Sequence, residues 1–360
     1  MRVLHLIESL EFGGAEKVAI DLANEMANHH DVTICCAKRI GDLGTTVDRR
    51  IRVVCLEKRE GNDYFLPFRL AKLLRRMRID VLHAHNWGVF LEAALAGALA
   101  RTRTKIHTVH GPYLDYAPGW RSRLKRLLRH SLERLFAPQF AKVVTVSDSI
   151  QKYIKTEIGI GASRLLTIHN GIAADNVFRS ARADDLIKCI TVGRLAEVKN
   201  QAMMIRAFHA ANCANAHLLL IGDGPERQSL GTLVRELGLE ARVTFTGFRK
   251  DVAAMLSESD IFLMSSNYEG ISIAVLEAMR AGLPVIGTRV GGMSEVVKEQ
   301  TGVLVEPGDV NGMARALRAL ILSPDRRAGL GLAGRQFLEA EFSLQNMVAQ
   351  YEQLYGGEPR

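Results

Sequence analysis

Between Asn267 and Gly287 the chain reads NYEGISIAVLEAMRAGLPVIG, which sets two carboxylates, Glu269 and Glu277, eight positions apart around the start of a helical pattern. A helix N-terminus is electropositive and carries unpaired N–H groups. The backbone of Gly270, Ile271 and Ser272 is placed to offer such groups to an anion. A phosphate held there has Glu269 on one side and Glu277 further along. The ligand this describes is elongated, charged in the middle and hydroxylated at both ends, as a nucleotide-sugar is.

Other residues repeat the theme of charge and glycine at strand ends. VGRLAEVKN puts Arg194 and Lys199 in the loop after an apolar run. Two cations at that spacing can clamp a diphosphate, the guanidinium as a fork and the ammonium as a point charge. TVHGPY sets His110 at the end of another run, where it either reaches into a crevice or is an ordinary satisfied histidine. Gly13 and Gly14 follow the first run and precede a helix; they permit close approach of a phosphate or sugar, or make only a tight turn. IGDGPER is a glycine turn. In TGFRKDV, Gly247 and Phe248 suit a pocket wall for a nucleobase. His83 and His85 share one strand face, as a metal pair would, but no carboxylate or cysteine stands at ligand spacing. No D-x-D occurs, and the sequence predicts no metal and no cofactor.

These residues need a scaffold of strand ends. Apolar runs at RVLHLI, DVTICC, RVVCL, DVLHAH, KIHTVH and KVVTVS read as strands. Helical patterns start near Ala15, Leu66, Val89, Arg121 and Ser149. The pattern begins again after residue 187 with KCITVG, AHLLLIG, RVTFTG, DIFLMSS, LPVIGT and GVLVEP. Alternating β and α elements imply parallel sheets covered on both faces. The fold class is α/β, two Rossmann-like doubly wound domains facing a central cleft. The expected boundaries are 1–174, 175–341 and a final helical segment 342–360, with AADNVFRSARADDL as the linker.

The 360 residues are 48% hydrophobic and 24% charged, which suits a globular protein of two domains. The first apolar run is too short for a signal peptide, and no run reaches a membrane span. The five cysteines form no C-x-x-C and read as core residues of a reducing compartment. The expected location is the cytoplasm, with peripheral contact at the inner face of the membrane. Net charge is +8 and uneven: residues 1–170 hold 27 Lys/Arg against 17 Asp/Glu, the remainder 20 against 22. A basic first half suits an anionic partner. Nucleic acid is disfavoured, because no zinc motif, recognition helix or aromatic-rich sheet accompanies the charge.

Taken in order, GGAE, HGP at His110, HNGI at His169, GRL…KN at Arg194, GDGP and EGISIAVLEAMRAGLPVIGT resemble the retaining glycosyltransferases of family 4, which have the GT-B fold. The resemblance covers nearly the whole chain, and FSLQNMVAQYEQLY is similar to the family's final helix, which crosses back to the first domain. It implies that Glu277 binds ribose hydroxyls and that Glu269 contacts the donor sugar. Gly270, Ile271 and Ser272 would face sugar and phosphate. Arg194 and Lys199 would neutralise the leaving diphosphate, His110 would approach the donor sugar, and Gly13 and Gly14 would leave room for diphosphate and acceptor. The implied reaction transfers a sugar from a nucleoside diphosphate, UDP before GDP, to a hydroxyl of a glycan or lipid-linked acceptor without a metal. Rival readings are a nucleotide-sugar epimerase of similar fold, which needs no acceptor, and a non-catalytic nucleotide- or carbohydrate-binding module.

One stretch lies outside that set. Over residues 119–136, GWRSRLKRLLRHSLERLF places Trp120, Leu124, Leu127, Leu128, Leu132, Leu135 and Phe136 in one helical stripe, with Arg121, Arg123, Lys125, Arg126, Arg129 and Arg134 around it. The stripe is either the buried face of a core helix or an interfacial helix that docks on anionic lipid.

Overall fold

The computed structural model describes residues 1–61, 63–111, 119–173 and 186–356. Backbone contacts divide the chain into two units, Met1–Gly171 with Leu344–Arg360, and Ile172–Ser343. The linker expected from AADNVFRSARADDL and the Pro112 turn lie largely outside the described residues.

The first unit runs β1 (Arg2–Ser9), α1 (Gly14–Met26), β2 (Asp31–Arg39), β3 (Arg52–Cys55), α2 (Leu66–Met77), β4 (Val81–His85), α3 (Phe90–Ala100), β5 (Thr104–Val109), α4 (Trp120–Phe136), β6 (Lys142–Thr145), α5 (Asp148–Tyr153) and β7 (Leu165–Thr167). Its strands form one seven-stranded sheet in the order β3-β2-β1-β4-β5-β6-β7, and every pair is parallel. The second unit runs β8 (Ile187–Val192), α6 (Gln201–Ala211), β9 (Ala216–Ile221), α7 (Arg227–Glu236), β10 (Val243–Gly247), α8 (Val252–Ser257), β11 (Ile261–Met264), α9 (Ile273–Arg280), β12 (Val285–Thr288), α10 (Met293–Val296), β13 (Gly302–Val305), α11 (Val310–Ile321) and α12 (Pro324–Glu341). Its six strands are ordered β10-β9-β8-β11-β12-β13. The last helix, α13 (Leu344–Gly356), belongs to the first unit.

Parallel strands need crossover helices, so both sheet faces are covered and central strands carry apolar side chains on both sides. In β4 and β11 every residue is buried. Cys35, Cys36, Cys189 and Cys213 lie in these cores, unpaired. Twelve of the strands were legible as apolar runs. The strand missing from that reading is β7, three residues long and on the sheet edge, too short to show a period.

Both sheets reverse their strand order once, between β1 and β4 and between β8 and β11. At such a point neighbouring loops at the carboxyl ends diverge and leave a crevice. In the second unit the loop after β8 carries Arg194 and Lys199, and the loop after β11 carries Glu269. In the first unit β4 ends at His85, and His110 follows β5, its neighbour.

Candidate functional site

In the second unit the two loops at the switch point are stitched into one structure. Ser265 Oγ donates to the carbonyls of Lys199 and Asn200 at 3.0 and 2.8 Å. Asn267 N donates to Val198 O at 2.8 Å, and Asn200 Nδ2 to Asn267 Oδ1 at 3.1 Å. Residues Glu197–Lys199 form a 3-10 turn, which ends at Asn200 with φ of 46°. Asn200 then caps α6, accepting from Met203 N at 3.3 Å; asparagine suits both the left-handed backbone and the cap. The GDGP loop joins by backbone bonds from Gly193 N to Ile221 O at 2.9 Å and Leu195 N to Asp223 O at 3.0 Å.

The result is a rigid turn that holds Lys199 Nζ against Glu269 Oε1 in an ion pair. Ser266 Oγ donates to the same Oε1 at 2.6 Å, and Ser266 is itself held through Thr288 Oγ1, which donates to Ser266 O at 2.6 Å. Sequence reasoning gave Lys199 to a diphosphate and Glu269 to a sugar as separate tasks; the structure couples them. Ser266, Asn267 and Thr288 were not singled out, because serine, asparagine and threonine in a loop carry no spacing signal. Oε2 of Glu269 has no hydrogen-bond partner among the described residues, although the residue is buried. Arg194 is exposed, and its guanidinium makes no hydrogen bond or ion pair among the described residues; Gln201 Nε2 fixes its backbone carbonyl at 2.9 Å. The loop after β8 thus carries one unspent cation, Arg194, and one, Lys199, paired with a carboxylate that has one oxygen open.

The segment Gly270, Ile271, Ser272 leads into α9, with Ser272 at the N-cap; its carbonyl accepts from Val275 and Leu276. Ile271 and Ser272 are buried, and Gly270 is half-buried. Glu277 lies one turn inside α9, half-buried. The backbone of Glu269 is fixed from the far side, where Gly292 N donates to its carbonyl at 3.2 Å. A Cβ on Gly291, which has φ of 50°, would overlap that carbonyl, so the Gly291–Gly292 pair is a requirement of this site that sequence reasoning missed. Gly247 ends β10 with φ of 70°, and Phe248 is 63% exposed.

In the first unit, Gly13 is the N-cap of α1, with Gly14 the first helical residue. The carboxylate of Glu16 lies over Gly13, where a side chain would stand. The helix start therefore already faces a negative charge of its own chain, and burial raises the Glu16 pKa. His110 follows β5. Its backbone N donates to Asn86 Oδ1 at 3.1 Å. Asn86 has φ of 61°, a conformation asparagine tolerates better than most residues. His110 Nε2 lies 3.1 Å from His85 Nδ1, and His85 Nε2 lies 3.1 Å from His5 Nδ1. His83 and His85 on β4 thus have a third member from β1, His5, and ring nitrogens of the three lie within 4.8 Å of one another. His83 is engaged elsewhere, Nδ1 with Tyr355 Oη at 2.5 Å and Nε2 with Thr108 Oγ1 at 2.7 Å. Burial lowers the pKa of His5 to about 3 and of His110 to about 4, and holds His83 and His85 well below the usual range. The four rings are neutral near pH 7.

α4 departs from a core helix. Trp120, Leu124, Leu127, Leu128 and Leu135 are between 58 and 70% exposed. Its one buried residue is Glu133, which pairs with Arg129 at 3.0 Å and whose pKa is raised, first by burial. The Arg129 guanidinium in turn lies 4.6 Å from the centre of the Trp87 ring. The face turned inward is this ion pair, and most of the apolar stripe faces out. Among the described residues no helix is long and apolar enough to cross a membrane.

Residues 12–176 match the family model described as glycosyltransferase family 4, and residues 174–337 the model described as glycosyl transferases group 1. N-acetyl-alpha-D-glucosaminyl L-malate synthase of Bacillus anthracis is 30% identical over 308 residues, 81% of this chain and 78% of that one. The UDP-Gal:alpha-D-GlcNAc-diphosphoundecaprenol alpha-1,3-galactosyltransferase of Escherichia coli is 24% identical over 340 residues, 88% and 87% of the two chains. The crystal structure of Anabaena HepE in complex with UDP and glucose superposes with a TM-score of 0.85 at 22% identity, over 99% of each chain. Sheet order, switch-point loops and these matches agree, and the chain belongs to the family 4 glycosyltransferases, with the GT-B architecture.

Proposed function

We propose that the protein transfers a hexosyl group from a UDP-sugar to a hydroxyl of a lipid-linked or cell-surface glycan, with retention at the anomeric carbon and without a divalent metal. The observation that carries this reading is the pairing at the β8/β11 switch point: exposed, unspent Arg194 in the same loop as Lys199, whose ion pair with Glu269 leaves Oε2 open. A diphosphate accepts from Arg194 and Lys199, and a sugar hydroxyl donates to Glu269 Oε2. Glu277 takes the ribose hydroxyls, and Gly247 and Phe248 border the base. His110, taken by itself in the first unit, is a hydrogen-bond partner for a ligand hydroxyl.

In the reaction the bond from the anomeric carbon to the phosphate oxygen breaks, and a bond to the acceptor oxygen forms on the same face. The acceptor proton passes to the departing phosphate oxygen. The barrier is charge separation between an oxocarbenium-like sugar and an anionic diphosphate, and fixed cations lower it because they need no reorganisation. Uridine is favoured over guanosine by the UDP-Gal of the Escherichia coli galactosyltransferase and by the UDP in complex with Anabaena HepE.

The membrane is the natural place for a lipid-linked acceptor. The exposed leucines and Trp120 of α4 with Arg121, Arg123, Lys125 and Arg126 suit an anionic lipid surface, apolar side chains inserting and cations meeting headgroups. A panel of UDP- and GDP-sugars tests the donor. The expected result is a rise in melting temperature with one UDP-sugar, and retained product configuration with that donor plus acceptor. A new sugar nucleotide formed from donor alone makes the protein an epimerase and overturns the reading.

A further inference from the structure

Three imidazoles run in line through the first unit. The His5–His85 and His85–His110 nitrogen separations are both 3.1 Å. Both centroid separations are 5.4 Å, with ring planes 21° and 26° apart. The centroid distance exceeds the nitrogen distance by two ring radii, so the rings meet edge to edge, nearly in one plane, rather than face to face.

A neutral imidazole has one N–H and one bare nitrogen. Three neutral rings joined by two hydrogen bonds therefore hold three protons, spend two, and leave one at an end of the line. If the protons point from His110 toward His5, the spare N–H is His5 Nε2. If they point the other way, it is His110 Nδ1. Neither nitrogen is solvent-exposed and neither has a partner among the described residues. A buried donor without an acceptor is destabilising, and the two ends differ in whether a ligand can relieve it. His5 lies in the sheet core with no exposed surface, where no ligand oxygen arrives. His110 is half-buried at the end of a strand, next to the switch point.

We infer that His5 and His85 are positioning residues that set the tautomer of His110, so that it presents Nδ1–H as a hydrogen-bond donor to a ligand oxygen. The line carries the constraint over three strands: His5 Nδ1–H donates to His85 Nε2, and His85 Nδ1–H donates to His110 Nε2. With Nε2 accepting, the one proton on His110 is at Nδ1. The spare donor waits unpaired, and a sugar hydroxyl or phosphate oxygen that accepts from it removes the cost. The neutral state of all three rings follows from their burial. His83, whose nitrogens face Tyr355 and Thr108, stands outside the line. The choice of direction rests on the proposed glycosyl transfer, because a ligand oxygen at His110 is what makes the two ends unequal.

The tautomers are read directly from imidazole nitrogen shifts of the ¹⁵N-histidine-labelled protein near pH 7, with and without saturating UDP-sugar. The expected result is Nδ1–H on His5, His85 and His110. A proton on His110 Nε2 overturns the inference whatever reaction the protein performs. Two variants test the direction of control. In His5→Asn the amide nitrogen replaces Nδ1–H as donor; in His5→Leu nothing does. His5→Leu should shift His110 toward Nε2–H and lower kcat about tenfold, the effect of losing one hydrogen bond of ordinary strength. His5→Asn should restore the His110 tautomer and most of that loss. Equal behaviour of the two variants in tautomer and kcat rejects the positioning role. Should neither variant fold, the shifts of the unaltered protein decide alone.

Discussion

Lys199 and Glu269 meet as an ion pair between loops seventy residues apart in sequence, and Ser266 Oγ donates to the same carboxylate oxygen at 2.6 Å. Side-chain exposure is 24% for Lys199 and 10% for Glu269. An ion pair so enclosed is screened less than a surface pair, and removing one partner leaves the other poorly solvated. Lys199→Ala should therefore lower stability by about 1–3 kcal/mol as well as slow transfer. In a double-mutant cycle with Glu269→Gln, urea unfolding should show a coupling of about 1–2 kcal/mol. Additive single effects would mean the pair is not formed in solution.

Arg194 should behave differently. Its side chain has no partner among the described residues, so Arg194→Ala should change stability by less than about 0.5 kcal/mol. Loss of a charge-assisted fork should weaken UDP binding about tenfold to a hundredfold. Calorimetric titration checks this, and unchanged UDP affinity would remove Arg194 from the diphosphate.

Two glycines separate backbone strain from overlap. Gly247 has φ of 70° with open space where a Cβ would stand, whereas a Cβ on Gly291 would strike the Glu269 carbonyl. Gly247→Ala should cost about 1–2 kcal/mol, the penalty of the left-handed backbone. Gly291→Ala should cost clearly more and should also impair transfer, because the carbonyl that must move belongs to Glu269. Equal unfolding midpoints for the two variants would contradict this account.

The buried histidines give the fold an acid limit. Burial lowers His5 and His107 from 6.5 to about 3 and His110 to about 4, and holds His83 and His85 well down. Between pH 6.5 and about 4 these rings take up protons only in the unfolded chain. Their contribution to stability is complete above 6.5 and falls with pH, by about 1.4 kcal/mol per unit for each ring. Glu16 and Glu133, with raised pKa values, act in the opposite sense above their unfolded range. Urea unfolding from pH 7 to 5 should show a net uptake of at least two protons; a flat profile would mean that the rings are solvated.

For α4, Leu127→Gln with Leu128→Gln should leave the melting temperature nearly unchanged, since both side chains are more than 60% exposed. The same pair should reduce sedimentation with anionic vesicles, and Arg123, Lys125 and Arg126 to Glu should abolish it. Binding should weaken with salt, as headgroup attraction is screened. Failure of the unaltered protein to sediment with anionic vesicles at low salt would leave a soluble acceptor.

The sequence by itself determined the parallel architecture, because strands covered on both faces read as apolar runs and their crossovers as helical periods. It also marked Arg194, Lys199, Glu269, Glu277 and His110, since charge and glycine at a strand end are visible in one dimension. Short β7 escaped for want of length. What only the tertiary structure decided is which of these side chains spend themselves on one another. Lys199 is committed to Glu269 and Arg194 is not, because the loops after β8 and β11 are sewn together by Ser265, Asn267 and Asn200 across the switch point. The HAH pair reads as two alternate residues of a strand; its third imidazole and its end at His110 exist because β1, β4 and β5 are neighbours in the sheet. The leucines of α4 have the spacing of a buried face, and exposure went to them because the Arg129–Glu133 pair packs inward. Periodicity tells which residues share a face, whereas burial depends on what lies opposite, and that is set by contacts distant in sequence.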